Sequence, residues 1–373
     1  MVKFAVVLQP GNEGRVVENH PVLRRLPVRI AVKCLPYLST QKTGMIMDNE
    51  NQEKLGCLID VPGFFSNWSQ QKEVYRLRAV KALVKSLIKW KIPVLSFPFL
   101  TEYLHEEERR LFENSGIILL DGFHHRLAGL MLVVKQLLHI TEKEVPYYEI
   151  GIWGADTDIG QIWAGFLATE VNHMCIGGHN YRELEKLADY ILKTTGLSCQ
   201  ITIHPDLCLI DKNITIMAEH ADIHFKQTYQ AINVYSVPGI KYHTQKTKGK
   251  SKALSSFQQR HPIEAGWMSL PKDIKIDQEL NPYEQLGVLE ALFYAYNRRY
   301  RDDILNRRIS LDQMNQLFTL YELLHIRPQG FVQDGRRIHF DRFRREHFAK
   351  NGLDKSKGCN YNIQKEKSVS TAK

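Results

Sequence analysis

Among the six cysteines of this chain, at positions 34, 57, 175, 199, 208 and 359, no two form a Cys-x-x-Cys pair. That spacing suggests neither a zinc knuckle nor a disulfide framework, leaves no metal site to nominate, and makes buried free thiols the expected state. Long apolar runs are also missing. The richest, Leu127 to Leu138, is broken by Lys135 and Gln136 and is too short to cross a bilayer. The run Phe4–Leu8 is too short for the apolar segment of a secretory signal, so a cytoplasmic protein with no membrane contact is expected. Negative charge is in deficit, with a formal net charge of +9. Residues 327–373 account for seven of those nine charges, with twelve basic residues against five acidic ones, and the remaining body is close to neutral. Any polyanion binding therefore belongs to this terminal arm, where Arg336, Arg337, Arg342, Arg344 and Arg345 interleave with Phe340, Phe343 and Phe348. The favoured alternative is an amphipathic appendage that lays its Phe side chains on the body.

At 373 residues and 43% hydrophobic, the chain can bury a large core. Its most informative stretch is Tyr147–Arg182. An apolar run, Ile150 to Trp153, enters Gly154-Ala155-Asp156-Thr157-Asp158-Ile159-Gly160, and Ile159, Ile162, Trp163, Phe166 and Leu167 then recur at helical spacing. That order is strand, tight turn, helix. A second short run, Met174 to Ile176, leads through Gly177-Gly178-His179-Asn180 into another amphipathic helix. The pattern is the first half of a dinucleotide-binding unit. A pyrophosphate must approach backbone N–H groups at a helix N-terminus without meeting a Cβ, and Gly154 and Gly160 supply that clearance. Thr157 stands where the usual middle glycine would be, and Asp156 adds a negative charge. The bland alternative is that the two glycines only allow close strand–helix packing while Asp156 or Asp158 caps the helix.

The cofactor-facing candidates are thus Gly154, Ala155, Asp156, Thr157, Asp158, Ile159 and Gly160, with His179, Asn180 and Arg182 at the end of the second strand. No carboxylate follows that strand until Glu183. Because an acidic residue there would bond the ribose hydroxyls and a basic one would accept a 2′-phosphate, NADP is expected in preference to NAD. Alternatively, Asn180 caps the next helix and His179 and Arg182 are solvated.

The expected fold is α/β, a Rossmann-type doubly wound sheet domain preceded by an N-terminal α/β domain. Residues 1–145 are assigned to the N-terminal, substrate-type domain and 146–270 to the NAD(P)-binding domain. Residues 271–326 supply helices completing the two-domain body, and 327–373 form a basic extension, partly disordered. Helices are expected at about Gln71–Trp90, Glu102–Glu113, His124–Ile140 and Pro282–Asp302. Another begins at Ser310, with Gln313 completing a capping box.

The order of these pieces resembles the long-chain acyl-[acyl-carrier-protein] reductases and related predicted amino-acid dehydrogenases, which share a shikimate-dehydrogenase-like NADP domain. The resemblance covers most of residues 3–326. It rests on FAVVLQPGNEGRVVENHPVLRRLPVRIAVKCL, GCLIDVPGFFSNW, GADTDIG, GGHNYREL and LGVLEALFYAYNRR, taken in that order. It implies a cysteine thiolate near the start of the late helix that accepts an acyl group, which hydride from NADPH reduces to an aldehyde. Gly287 occupies that place, and no cysteine lies between Cys208 and Cys359. A thiolate must attack the thioester and later leave, so the covalent route is not expected here. The family's glycine-rich turn corresponds to Phe97-Pro98-Phe99-Leu100-Thr101, and its polar turn to Asp121-Gly122-Phe123-His124-His125-Arg126. His124 and His125 are the nominated acid–base candidates, because imidazole titrates near neutral pH; otherwise they flank the Leu127–Leu138 helix.

The functional expectation is an NAD(P)-binding, oxidoreductase-like protein with altered or lost catalysis, a pseudoenzyme in the second case. If active, it would transfer hydride without covalent cysteine. The rivals are a non-catalytic sensor or scaffold and a nucleic-acid-binding regulator that uses the basic arm. The expected partners are a small-molecule nucleotide and further copies of the chain in a homo-oligomer, with nucleic acid least favoured.

Overall fold

Short apolar segments alternate with amphipathic helices to build two sheets in the computed structural model, which describes residues 2–9, 23–62, 71–98, 104–142, 148–210, 212–219, 232–236, 262–297, 300–302, 309–333 and 335–350. The first sheet contains β1 (Phe4–Val7), β2 (Gln41–Asp48), β3 (Lys54–Asp60), β4 (Val94–Ser96), β5 (Ile118–Leu120) and β12 (Ile274–Ile276). Its order is β12-β2-β3-β1-β4-β5. Strands β3, β1, β4 and β5 run parallel, and β2 and β12 pair antiparallel at one edge. The hairpin between β2 and β3 turns on Asp48, whose Oδ1 accepts the N–H groups of Glu50 and Asn51 at 2.8 and 3.1 Å.

A short helix, α1 (Val28–Cys34), follows the first strand. Helix α2 (Glu73–Trp90) then covers one face of this sheet with Val80, Leu83, Val84 and Leu87, while Lys81, Lys85 and Lys89 remain exposed. Each buried side chain of this size contributes roughly 1.5–3 kcal/mol. The apolar stripe is narrower than its spacing predicts, since Val74 and Ile88 are 66% and 55% exposed. The helix stops at Lys91, which adopts the left-handed conformation and donates its N–H to Ile88 O at 3.0 Å. Helix α3 (Glu106–Glu113) begins four residues later than expected. Glu108 fixes its start by accepting the His105 N–H at 2.8 Å, and its other oxygen pairs with Arg76 Nε of α2, also at 2.8 Å.

The second sheet comprises β6 (Glu149–Trp153), β7 (His173–Gly177), β8 (Cys199–Thr202), β9 (Ile214–Met217), β10 (Ile232–Tyr235), β11 (Ile263–Met268), β13 (Pro328–Gln333) and β14 (Arg336–His339). Their order is β14-β13-β11-β10-β9-β6-β7-β8, with β11 through β8 parallel and β13 and β14 antiparallel at the edge. Counting β6 as the first strand, the parallel part reads 3-2-1-4-5-6. That is the dinucleotide-binding order, with its reversal between β6 and β9. Helices α5 (Asp158–Leu167), α6 (Tyr181–Thr195) and the short α7 (Pro205–Leu209) make the early crossovers.

Helix α4 (Phe123–Glu142) packs on β11 and β13, and α8 (Pro282–Tyr296) reaches β1 and β4 of the first sheet as well as β11 of the second. Both therefore carry apolar residues around most of their circumference. One buried cluster consequently includes Phe4 and Val6 of the first sheet and Ile150, Ile214 and Val234 of the second. The expected late helix is shorter than its pattern, because Asn297 leaves helical geometry at φ −111°. Helix α9 (Leu311–Leu323) starts at the expected place, with Ser310 Oγ accepting the Gln313 N–H at 3.3 Å, but the expected capping box does not close, because Gln313 Oε1 is buried without a hydrogen-bond partner among the described residues.

The basic arm is not separate from the body. Its first part supplies β13 and β14, and Phe331 of β13 is buried against the rings of Phe340 and Phe343 in α10 (Phe340–Lys350). Arg336, Arg342, Arg344 and Arg345 are exposed. The 271–326 segment likewise holds a strand, β12, that belongs to the first sheet. The charged segment Glu142–Pro146 lies, from residue 143, outside the described residues, as do the lysine-rich stretch Lys241–Lys252 and everything from 351. Among the described residues no helix is long and apolar enough to cross a membrane, and no cluster of three or more His, Cys, Asp or Glu could hold a metal.

Candidate functional site

Ligands of open α/β sheets bind outside the carboxyl ends of the strands, where the strand order reverses. Here that point is the junction of β6 with α5, beside the end of β9. Gly154 follows β6 with φ +81°, and a Cβ on it would lie 2.7 Å from Glu219 Cβ and 2.9 Å from Glu219 N. Both constraints require glycine. Gly160 lies in the first turn of α5, where a Cβ would come within 2.0 Å of Gly154 O. The helix thus packs directly on the preceding turn.

Thr157 is the N-cap of α5, at φ −91°. Its negative φ leaves the Cβ unstrained. The side chain folds back, with Oγ1 donating to Gly154 O at 2.7 Å and accepting the Gly160 N–H at 3.1 Å. The Ala155 N–H is bound to Gly177 O at 2.9 Å and the Thr157 N–H to Gly154 O at 3.0 Å. The N–H groups of Asp158 and Ile159 have no hydrogen-bond partner among the described residues. They retain the anion-binding capacity of a helix N-terminus. Thr157 therefore narrows this cradle of helix N-terminal amides by one and leaves those of Asp158 and Ile159 open.

Asp156 points away from this cradle. Its Oδ2 accepts the backbone N–H groups of His179 and Asn180 at 2.9 and 2.8 Å, tying the first βα turn to the second. Its Oδ1 is buried without a partner and lies where a Cβ on Gly178 would be only 2.0 Å away. A carboxylate does stand at the end of the second strand, delivered by the first turn rather than by the residues after β7.

Asn180 caps α6, its side-chain oxygen accepting the Glu183 N–H at 3.4 Å. His179 lies across the crevice mouth, its Nε2 3.8 Å from Glu219 Oε2 and its ring 5.3 Å from that of Trp153 in edge-on contact. Arg182 is exposed in the first turn of α6. At the neighbouring strand end, Ser236 is buried and its Oγ donates to Met217 O at 2.7 Å. The phosphate-turn candidates and the three second-strand candidates therefore share one end of the sheet.

His124 and His125 lie elsewhere. Both are buried near the start of α4, and His125 is enclosed by the rings of Phe293, Tyr300 and Tyr321. Its Nδ1 is 2.5 Å from Tyr321 Oη. Burial pushes this imidazole well below its ordinary value, with His124 adding to the shift, so it stays neutral. Its Nε2 is buried without a hydrogen-bond partner among the described residues.

Position 287 is sterically occupied. A Cβ there would lie 2.9 Å from both Ser96 Oγ and Pro98 Cγ, so the bulk of the Phe97-Pro98 turn fills the space beside the late helix. One turn further along α8, Glu290 is fully buried and accepts the Gly122 N–H. Burial pushes its carboxyl well above the usual range, and Asp121 reinforces the shift. Sequence pattern missed Glu290 because its place on an apolar helix carries no motif.

No model of a known protein family matches the chain, and no curated protein matches it in sequence. Among solved structures, it is similar to L-tryptophan dehydrogenase from Nostoc punctiforme at 10% identity and a TM-score of 0.34, over 86% of this chain and 82% of that one. It is also similar to quinate dehydrogenase from Corynebacterium glutamicum in complex with NAD, at 12% identity and TM-score 0.25, over 63% and 80%. A shikimate dehydrogenase in complex with NADP+ aligns at 11% identity and TM-score 0.23, over 63% and 76%. These likenesses are remote, and the fold assignment stands on this chain's own strand order.

Proposed function

We propose that this protein binds a nicotinamide dinucleotide at the β6–α5 junction and is oxidoreductase-like, with the chemistry of acyl-carrier-protein reductases altered or lost. One observation carries the reading: the parallel strand order 3-2-1-4-5-6, with Gly154 and the α5 N-terminus placed at its reversal. The Asp158 and Ile159 amides would hold the pyrophosphate. When bound, such a cofactor supplies or accepts hydride. The chain's residues would orient it and keep side chains clear of the diphosphate. Covalent acyl transfer at position 287 is disfavoured twice, by the absence of a thiol and by the contacts of Gly287 with Ser96 and Pro98.

The test is titration of NADH and NADPH followed by nicotinamide fluorescence and thermal shift, on the wild type, Asp158→Ala and Asp158→Pro. Proline at this first helical position removes one open N–H without disturbing the helix, because Thr157 is already extended. Relative to Asp158→Ala, Asp158→Pro should bind about tenfold more weakly, as expected for one charge-assisted hydrogen bond. If the wild type binds neither dinucleotide, the reading fails.

A further inference from the structure

We propose that Asp156 is an internal counter-anion that sets the nucleotide preference of the crevice, selecting NAD over NADP by filling the place a 2′-phosphate would take. The inference rests on the dinucleotide reading above and deepens it.

Two backbone N–H groups, those of His179 and Asn180, converge at the start of the 15-residue helix α6. Amides so placed attract an anion. In a sheet of this order the adenosine ribose lies at the end of the second strand, so this anion position is the one a 2′-phosphate would use. It is already taken. Asp156 Oδ2 holds both amides at 2.9 and 2.8 Å, and the partnerless Oδ1 keeps the rest of the carboxylate between the two turns. The chain is built around this contact, since Gly178 is the residue type that leaves room for Oδ1, and any Cβ there would lie 2.0 Å from it. A 2′-phosphate would find its amides occupied and a negative charge beside it. A ribose with free 2′ and 3′ hydroxyls meets neither obstacle. Exposed Arg182, two residues beyond Asn180, becomes usable by a phosphate only once that carboxylate is gone.

The test compares the wild type with Asp156→Asn, which keeps an oxygen for both amides but loses the charge, and Asp156→Ser, which vacates the position. NADH and NADPH binding are followed by nicotinamide fluorescence, and 2′,5′-ADP and 5′-AMP binding by calorimetry, with melting curves confirming that each protein is folded. The wild type should bind NADH at least tenfold more tightly than NADPH. Asp156→Asn should narrow that ratio, and Asp156→Ser should erase or invert it and acquire binding of 2′,5′-ADP. Asp156→Asn keeps both hydrogen bonds and so carries the comparison if the serine variant unfolds. Equal wild-type affinities, or a ratio unchanged in both variants while NADH still binds, overturn the role of Asp156 and leave the dinucleotide reading standing. If the wild type binds neither dinucleotide, that reading falls separately. In that case, gain of 2′,5′-ADP binding by Asp156→Ser still supports the internal anion, and its absence removes it.

Discussion

His125 Nδ1 and Tyr321 Oη lie 2.5 Å apart in the core, joining the start of α4 to α9 through two titratable groups closed off from water. Glu290 is close enough to raise the Tyr321 hydroxyl further above its ordinary range, after burial itself, which is the larger cause.

This buried set predicts opposing pH effects on stability. The fold holds His125 well below 6.5, so its contribution is complete above that pH and is lost as pH falls from there through the folded value. Glu290 is held well above 4.5, so its contribution is complete below that pH and is lost as pH rises through the folded value. The melting-temperature difference between Glu290→Gln and the wild type should therefore grow in favour of the variant as pH rises from 4.5. The difference between His125→Phe and the wild type should grow in favour of the variant as pH falls below 6.5. Difference curves that are flat with pH from 4 to 8 would contradict both assignments.

Gly287→Cys is expected to restore no acyl-transfer chemistry. A Cβ there would press on Ser96 and Pro98 at 2.9 Å, an overpacking that costs about 1–3 kcal/mol. Urea unfolding should show that loss, and alkylation of the folded variant should reveal no additional fast-reacting thiol. Rapid alkylation at position 287 in a variant of wild-type stability would show the position to be open.

The Arg76–Glu108 pair joins α2 to α3 with side chains only 9% and 1% exposed. Removing one member strands a buried charge, so Arg76→Met should cost about 3–5 kcal/mol. Arg76→Met combined with Glu108→Leu should recover much of that. A double-mutant cycle by chemical denaturation decides, and additive losses would place the energy in packing alone.

Gly160→Ala should destabilise the second sheet's first crossover, because the added methyl would lie 2.0 Å from Gly154 O in backbone that cannot yield cheaply. A loss of about 1–3 kcal/mol is expected from overpacking. Hydrogen exchange should locate the loosening at residues 154–167. Wild-type exchange there would mean that the turn relaxes without strain.

The first crossover was legible in sequence because its determinants are local. Apolar runs, the glycines at 154 and 160 and the helical recurrence after Ile159 all fall within one continuous stretch. The caps at Thr157, Asn180 and Ser310 depend on neighbours three residues away, and pattern alone could nominate Asn180 and Ser310. Edge strands were harder to see. β12 has only three residues and belongs to a sheet whose other strands lie more than 150 positions earlier, so no local period announces it. The first part of the basic arm, β13 and β14, carried a charge signal stronger than its strand signal, although Phe331 and Val332 are buried.

The chain's residues by themselves determined that two α/β sheets form, that a strand–glycine–helix turn heads the second, and that no thiol is available at position 287. Only tertiary structure decided where Asp156 places its charge, because its partners are 23 and 24 positions away and meet it through the parallel pairing of β6 with β7. It also decided that His125 is enclosed by aromatic rings and that Glu290 is sealed against Gly122, across 168 positions of chain. Residue type states what a group can do, whereas burial and long-range contact set its protonation and reach.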